Sequence, residues 1–204
     1  MATSREAIVI LLDVGPYMEN PANSDGDTFL DLARDCVGWI YNRKIFTESK
    51  DELALILFGS DKTENELDYD NIEIVKELQL ADFDAVKFVQ NEVKSTNAEG
   101  DYLSALIVAL QALKSGTEGK KFAQKTIVLF SNLGGTVSNE DNDKDIEQIA
   151  NGLAALNAEL TVIGPDIRRS NNSNDDHNAA SSSSSRDDHN GGSGRSGGET
   201  YGLA

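Results

Sequence analysis

Ala7-Ile8-Val9-Ile10-Leu11-Leu12-Asp13-Val14-Gly15 is the stretch on which the reading of this chain turns. An unbroken apolar run stops at an aspartate. Successive side chains of a strand point to opposite faces, so a run apolar at every position marks a strand covered on both faces, as in a parallel sheet. Further runs of this kind occur at Leu53–Phe58, Ile127–Phe130 and Leu160–Ile163.

Segments of helical period separate them. Phe29, Leu32, Ala33, Cys36, Val37 and Ile40 recur at three- and four-residue spacing, with Asp27 or Thr28 available as the cap. Phe83, Val86, Val89 and Val93 repeat the rhythm behind Asp82. Leu103, Leu106, Ile107, Leu110 and Leu113 make a third stripe, closed by Gly116, and Ile146, Ile149, Ala150, Leu153 and Leu156 a fourth. Ile72, Ile74, Leu78 and Leu80 share parity, the mark of a half-exposed strand at a sheet edge. Strands alternating with helices predict an α/β fold, doubly wound around a mostly parallel sheet with helices on both faces, as one domain over residues 1–169.

Residues 170–204 differ in kind. They contain nine Ser, six Gly, five Asn and four Asp and almost nothing apolar, so they are expected to form a low-complexity disordered tail. The whole chain of 204 residues holds 35 Asp and Glu against 18 Lys and Arg, a formal charge of -17. The tail contributes -3, five acids against Arg186 and Arg195, which leaves -14 on residues 1–169. A surface this acidic repels phosphate and argues against direct contact with nucleic acid or an anionic membrane. Ala7–Leu12 is too short for a signal segment or a membrane span. The single cysteine, Cys36, cannot form an internal disulfide and fits a reducing compartment; its place on the helical stripe predicts a buried thiol.

Ligands of such sheets sit at the carboxyl ends of the strands. Those ends read Asp13-Val14-Gly15-Pro16-Tyr17, Phe58-Gly59-Ser60-Asp61 and Ser131-Asn132-Leu133-Gly134, with Glu99-Gly100-Asp101-Tyr102 opening a helix. An aspartate after the first strand, a Gly-containing loop before a later helix and a polar end to a later strand resemble the von Willebrand factor A family, a Rossmann-like fold whose Asp-x-Ser-x-Ser motif holds a divalent cation. Here the motif is degenerate. Asp13 stands, Gly15 and Tyr17 replace the serines, Asp101 falls near the threonine position, and Asn132 replaces the second aspartate. Magnesium needs several hard oxygens in octahedral array, so no metal and no other cofactor is expected.

A narrower resemblance covers most of residues 6–165. Asp13-Val14-Gly15, Lys50-Asp51-Glu52-Leu53-Ala54-Leu55, Leu57-Phe58-Gly59, Asp82-Phe83-Asp84, Asp101 to Val108 and Gly119-Lys120-Lys121-Phe122, in that order, resemble the N-terminal domain of the large subunit of the Ku heterodimer. The resemblance implies a non-catalytic protein-interaction domain acting in DNA double-strand-break repair by non-homologous end joining, in DNA recombination and in telomere maintenance. It implies a nuclear location and a smaller Ku subunit as partner, with DNA ends held only by parts of a longer protein; the chain is thus expected to be a fragment or a truncated product.

It also implies a groove for short peptide motifs of repair factors, basic residues first and an apolar anchor after them. By position the groove comprises Leu67, Tyr69, Asp101, Ser104, Ile107 and Leu110, with Ser104 where the family has a second acid. On that reading Ile107→Arg blocks the peptide and spares stability. The competing function is an ordinary A-type domain that binds a protein ligand through a divalent metal.

Other signals are weaker. Gly119-Lys120-Lys121 follows a helix rather than a strand and lacks the other phosphate-loop residues, so it reads as a solvated lysine turn and no Walker motif supports ATP hydrolysis. His177 and His189 lie in duplicated Asp-Asp-His-Asn units of the tail. The domain before them has no histidine, and no Ser or Cys has a base at recognisable spacing, so enzyme activity is not expected.

Overall fold

The computed structural model describes residues 5–135 and 142–165. β1 (Glu6–Asp13) is followed by a 3-10 turn (Pro16–Glu19), α1 (Phe29–Phe46), β2 (Glu52–Phe58), β3 (Ile72–Leu80), α2 (Phe83–Asn91), α3 (Tyr102–Thr117), β4 (Gln124–Phe130), α4 (Asn142–Leu156) and β5 (Glu159–Ile163). The sheet order is β3-β2-β1-β4-β5. β2, β1, β4 and β5 run parallel, and β3 is the antiparallel edge. This is the α/β fold that the apolar runs predict. The expected tail, with its histidines, lies outside the described residues.

β1 divides its side chains between two cores. Ala7, Val9 and Leu11 face α3 and α4, with Ile56, Ile127 and Leu129 beside them, whereas Ile8, Ile10 and Leu12 face α1 and α2. Caps set the helix starts. Thr28 accepts from the Asp31 amide while the Asp31 carboxylate accepts from the Thr28 amide, which settles the first cap on Thr28. Asp82 and Asp101 cap α2 and α3.

Four expectations are corrected. Cys36 and Leu32 are exposed, because α1 seats Leu30, Ala33, Val37 and Tyr41 on the sheet and turns the neighbouring stripe outward. Gly116 does not close α3, which runs on to Thr117; a Cβ there would lie 2.8 Å from Leu78 Cβ, so the glycine lets the helix approach β3. Leu80 is exposed at the end of the edge strand, although Ile72 and Leu78, of like parity, are buried on the α3 side. In α4, Ile149 is buried but Ile146 and Ala150 face solvent.

Candidate functional site

At the carboxyl end of β1, the Asp13 side chain is buried and fully engaged. Its Oδ1 accepts the Gly15 amide at 2.9 Å, and its Oδ2 accepts the Ser131 hydroxyl at 2.6 Å. Burial raises the carboxyl above the usual aspartate range, and these two hydrogen bonds oppose the rise. Around it the main chain closes in. A Cβ on Gly59, where φ is +71°, would lie 2.8 Å from the Gly15 nitrogen, and one on Gly100 would lie 2.7 Å from the Gly59 nitrogen. Thr96 ties this corner together, donating its amide to the Val14 carbonyl at 2.8 Å and its hydroxyl to the Gly59 carbonyl.

The residues at the degenerate motif do not fit a divalent cation. Asp101 spends its carboxylate on α3, accepting the Leu103 amide at 2.9 Å and the Ser104 hydroxyl at 2.7 Å. Asn132 donates to the Tyr17 carbonyl at 2.6 Å and accepts the Gly134 amide at 3.0 Å. Gly15 brings backbone alone. Among the described residues, no three His, Cys, Asp or Glu side chains gather closely enough to hold a metal, and a hard cation needs several free oxygens.

The second feature is a groove of about 640 Å³ between α3 and the β3 edge. Ile74, Leu78 and Val108 contribute its apolar wall, and Leu67 stands at its lip on the β2–β3 loop. Glu64, Glu66 and Glu77 border it, with Lys120 at one end. Asn65 shapes the lip, donating to the Tyr69 and Ile72 carbonyls at 2.8 and 2.9 Å and accepting the Leu67 and Tyr69 amides. Such an asparagine holds a loop by substituting its amide for backbone partners.

Of the six residues placed in a peptide groove by sequence, only Leu67 lines this one. Tyr69 is half-buried against the α3-side core, and Asp101 and Ser104 form the α3 cap. Ile107 and Leu110 are 6% and 8% exposed and belong to that core. Ile107→Arg would set a guanidinium among apolar side chains, so it reports on folding rather than on binding. The helical wall is instead Val108, Gln111, Ala112 and Ser115. α3 is apolar on nearly every side, and its periodicity gave no means of choosing this face. Lys120, read as part of a solvated turn, pairs with Glu52 at 2.9 Å. Its turn precedes β4, at the sheet end away from Asp13.

An open, mostly parallel sheet with its loops gathered over an aspartate after the first strand defines an A-type α/β domain, here with its cation corner filled by main chain. Residues 7–174 match the family model of the Ku70/Ku80 N-terminal alpha/beta domain, and the chain belongs to that family. It is 35% identical over 134 residues to X-ray repair cross-complementing protein 5 of Xenopus laevis, covering 64% of this chain and 18% of that protein. The Dictyostelium discoideum protein of that name is 30% identical over 169 residues, covering 79% and 20%. A protein of Arabidopsis thaliana named ATP-dependent DNA helicase 2 subunit KU80 is 28% identical over 185 residues, covering 87% and 25%. The chain thus spans between 18% and 25% of the length of these relatives.

Proposed function

We propose that residues 1–169 form the non-catalytic interaction domain of a Ku large subunit and that residues 170–204 are a tail appended to it. The domain serves double-strand-break repair by non-homologous end joining and telomere maintenance in the nucleus, alongside a smaller Ku subunit, and recruits repair factors through short peptides. Family membership and the repair-protein names of its relatives support the setting. The observation that carries the recruiting role is the groove between α3 and β3, apolar along its wall and acidic at its border. An apolar anchor in that wall with Lys or Arg beside Glu64, Glu66 and Glu77 combines desolvation with charge attraction. The metal-bridged alternative lacks the donor set it needs.

Titration calorimetry with a synthetic peptide of two or three basic residues followed by Leu or Phe tests this reading. Leu67→Arg and Glu77→Lys should each weaken binding about tenfold or more without lowering the melting temperature, because both side chains are exposed. Equal affinity for the wild type and both variants would remove the groove from the mechanism.

A further inference from the structure

The groove between α3 and β3 carries its charges in order. Gln111 Nε2 lies 3.5 Å from Glu66 Oε2, which sets that acid beside the middle of α3. Glu64 is held at the start of β3, its amide donating to the Ile72 carbonyl and its carbonyl accepting the Ile74 amide, both at 2.9 Å. Glu77 follows on β3 itself and is exposed. Past it Leu78 packs against Gly116, and Lys120 stands just beyond α3, its amide donating to the Thr117 carbonyl at 3.1 Å. The Lys120 ammonium reaches Glu52, the residue of β2 that faces Leu80 of β3. Acids therefore border the groove from the level of Ile74 to that of Glu77, and a cation stands at the level of Leu80.

That cation is not cancelled by its partner. Glu52 takes both Lys120 and Arg5, so the three groups sum to one positive charge. The Glu52 side chain is 10% exposed and that of Lys120 is 41% exposed, so the carboxylate stays inside while the ammonium borders the groove. An ammonium has three donors, and Glu52 accepts one of them, at 2.9 Å. This end of the groove repels a further basic residue of a bound peptide and attracts a carboxylate. Two rulers give the spacing. From Gln111 to Thr117 is about 9 Å along the helix at 1.5 Å per residue, and from Glu77 to Leu80 is about 10 Å along the strand at 3.3 Å per residue. An extended peptide covers either distance in about three residues.

We propose that the groove reads the order of charges in its peptide, with Lys120 taking the side-chain carboxylate of an Asp or Glu about three residues after the last basic residue. The apolar anchor lies between them, on Ile74, Leu78, Val108 and Ala112. The inference rests on the peptide-binding reading of the same groove and adds to it a direction and an acidic position. A chain-terminal carboxylate is commonly captured by a nest of main-chain amides. The donor here is one ammonium on a flexible stem, which acts as a point charge, and the neighbouring Ser115 hydroxyl already donates to the Gln111 carbonyl at 2.9 Å. That chemistry suits the carboxylate of a side chain within a continuing segment.

Titration calorimetry with three peptides capped at both ends, Arg-Arg-Ala-Leu followed by Glu, Gln or Lys, tests the assignment. The wild-type chain should bind the Glu peptide about threefold more tightly than the Gln peptide, and the Lys peptide more weakly than either. The preference for Glu over Gln should vanish in Lys120→Ala and shrink as salt is added. Because the ratio is taken within one protein, any stability lost with the Glu52 pair leaves it readable. Equal affinity of the wild type for all three peptides overturns the proposal and leaves the groove standing as a peptide site, and so does a preference for Glu that survives Lys120→Ala. No binding of any of the three removes the groove from the mechanism and this inference with it.

Discussion

The carboxylate of Asp13 is held by the fold rather than offered to a ligand. In an open cation site an aspartate needs free oxygens; here both are taken by the Gly15 amide and the Ser131 hydroxyl. Its role is to tie the end of β1 to the end of β4. Asp13→Ala strands two buried donors and should cost about 1–3 kcal/mol of stability. The carboxyl is raised above its unfolded value of 3.8, so the folded state binds a proton that the unfolded state has already released. Stability from this group therefore falls as pH rises from the unfolded pKa through the raised folded one. Asp13→Asn keeps an acceptor for Gly15 and removes that titration, so its stability relative to wild type should improve across this window and then level off. Denaturant unfolding across the acid range and at neutral pH measures it. Magnesium should leave the melting temperature of all three proteins alike; a magnesium-dependent rise lost in Asp13→Ala would show that the corner still opens to a cation.

Among the elements, α3 and β3 depend on a contact that composition alone hides. Gly116 lies inside a helix, where alanine is ordinarily better by about 1 kcal/mol. Here its Cβ would stand 2.8 Å from Leu78 Cβ, an atom fixed close to the backbone of β3. Gly116→Ala should therefore lose about 1–3 kcal/mol through overpacking, and calorimetric melting would read it as a lower transition temperature; a gain in stability would mean that α3 can draw back from the edge strand. The same pair of elements shows what was legible. Strand positions followed from unbroken apolar runs, and helix starts from Asp82 and Asp101. Faces did not follow, because α1 and α3 carry apolar residues on more sides than the sheet can cover. Period alone then marks a helix without saying which stripe is buried, and Cys36, Leu32, Ile107 and the groove wall at Val108 and Ala112 were the positions affected. At the corner around Asp13, the lack of a side-chain oxygen at Gly15 was legible, but the use of the Asn132 oxygen on the Gly134 amide was not, because it depends on the fold of the loop after β4.

At the scale of the whole molecule the acidic balance acquires a structure. Four of the basic side chains among the described residues are spent internally: Lys44 binds Asp51 at 2.6 Å and Glu6 at 3.1 Å, Lys62 binds Glu73 at 2.7 Å, and Lys120 and Arg5 share Glu52. These ion pairs brace strand ends and sheet edges. The described exterior that remains is dominated by carboxylates, among them the three glutamates at the α3–β3 groove. Binding to duplex DNA depends on cations placed along phosphates and on the counterions they release, and a chain with 18 basic against 35 acidic side chains opposes that approach. This domain should therefore give no saturable rise in anisotropy with a labelled blunt-ended duplex at physiological salt, while a basic peptide still binds. Saturable DNA binding that weakens steeply with salt would reveal a positive surface that these ion pairs conceal. Binding of the basic peptide without binding of the duplex is the result that would assign the acidity to recruitment of basic segments.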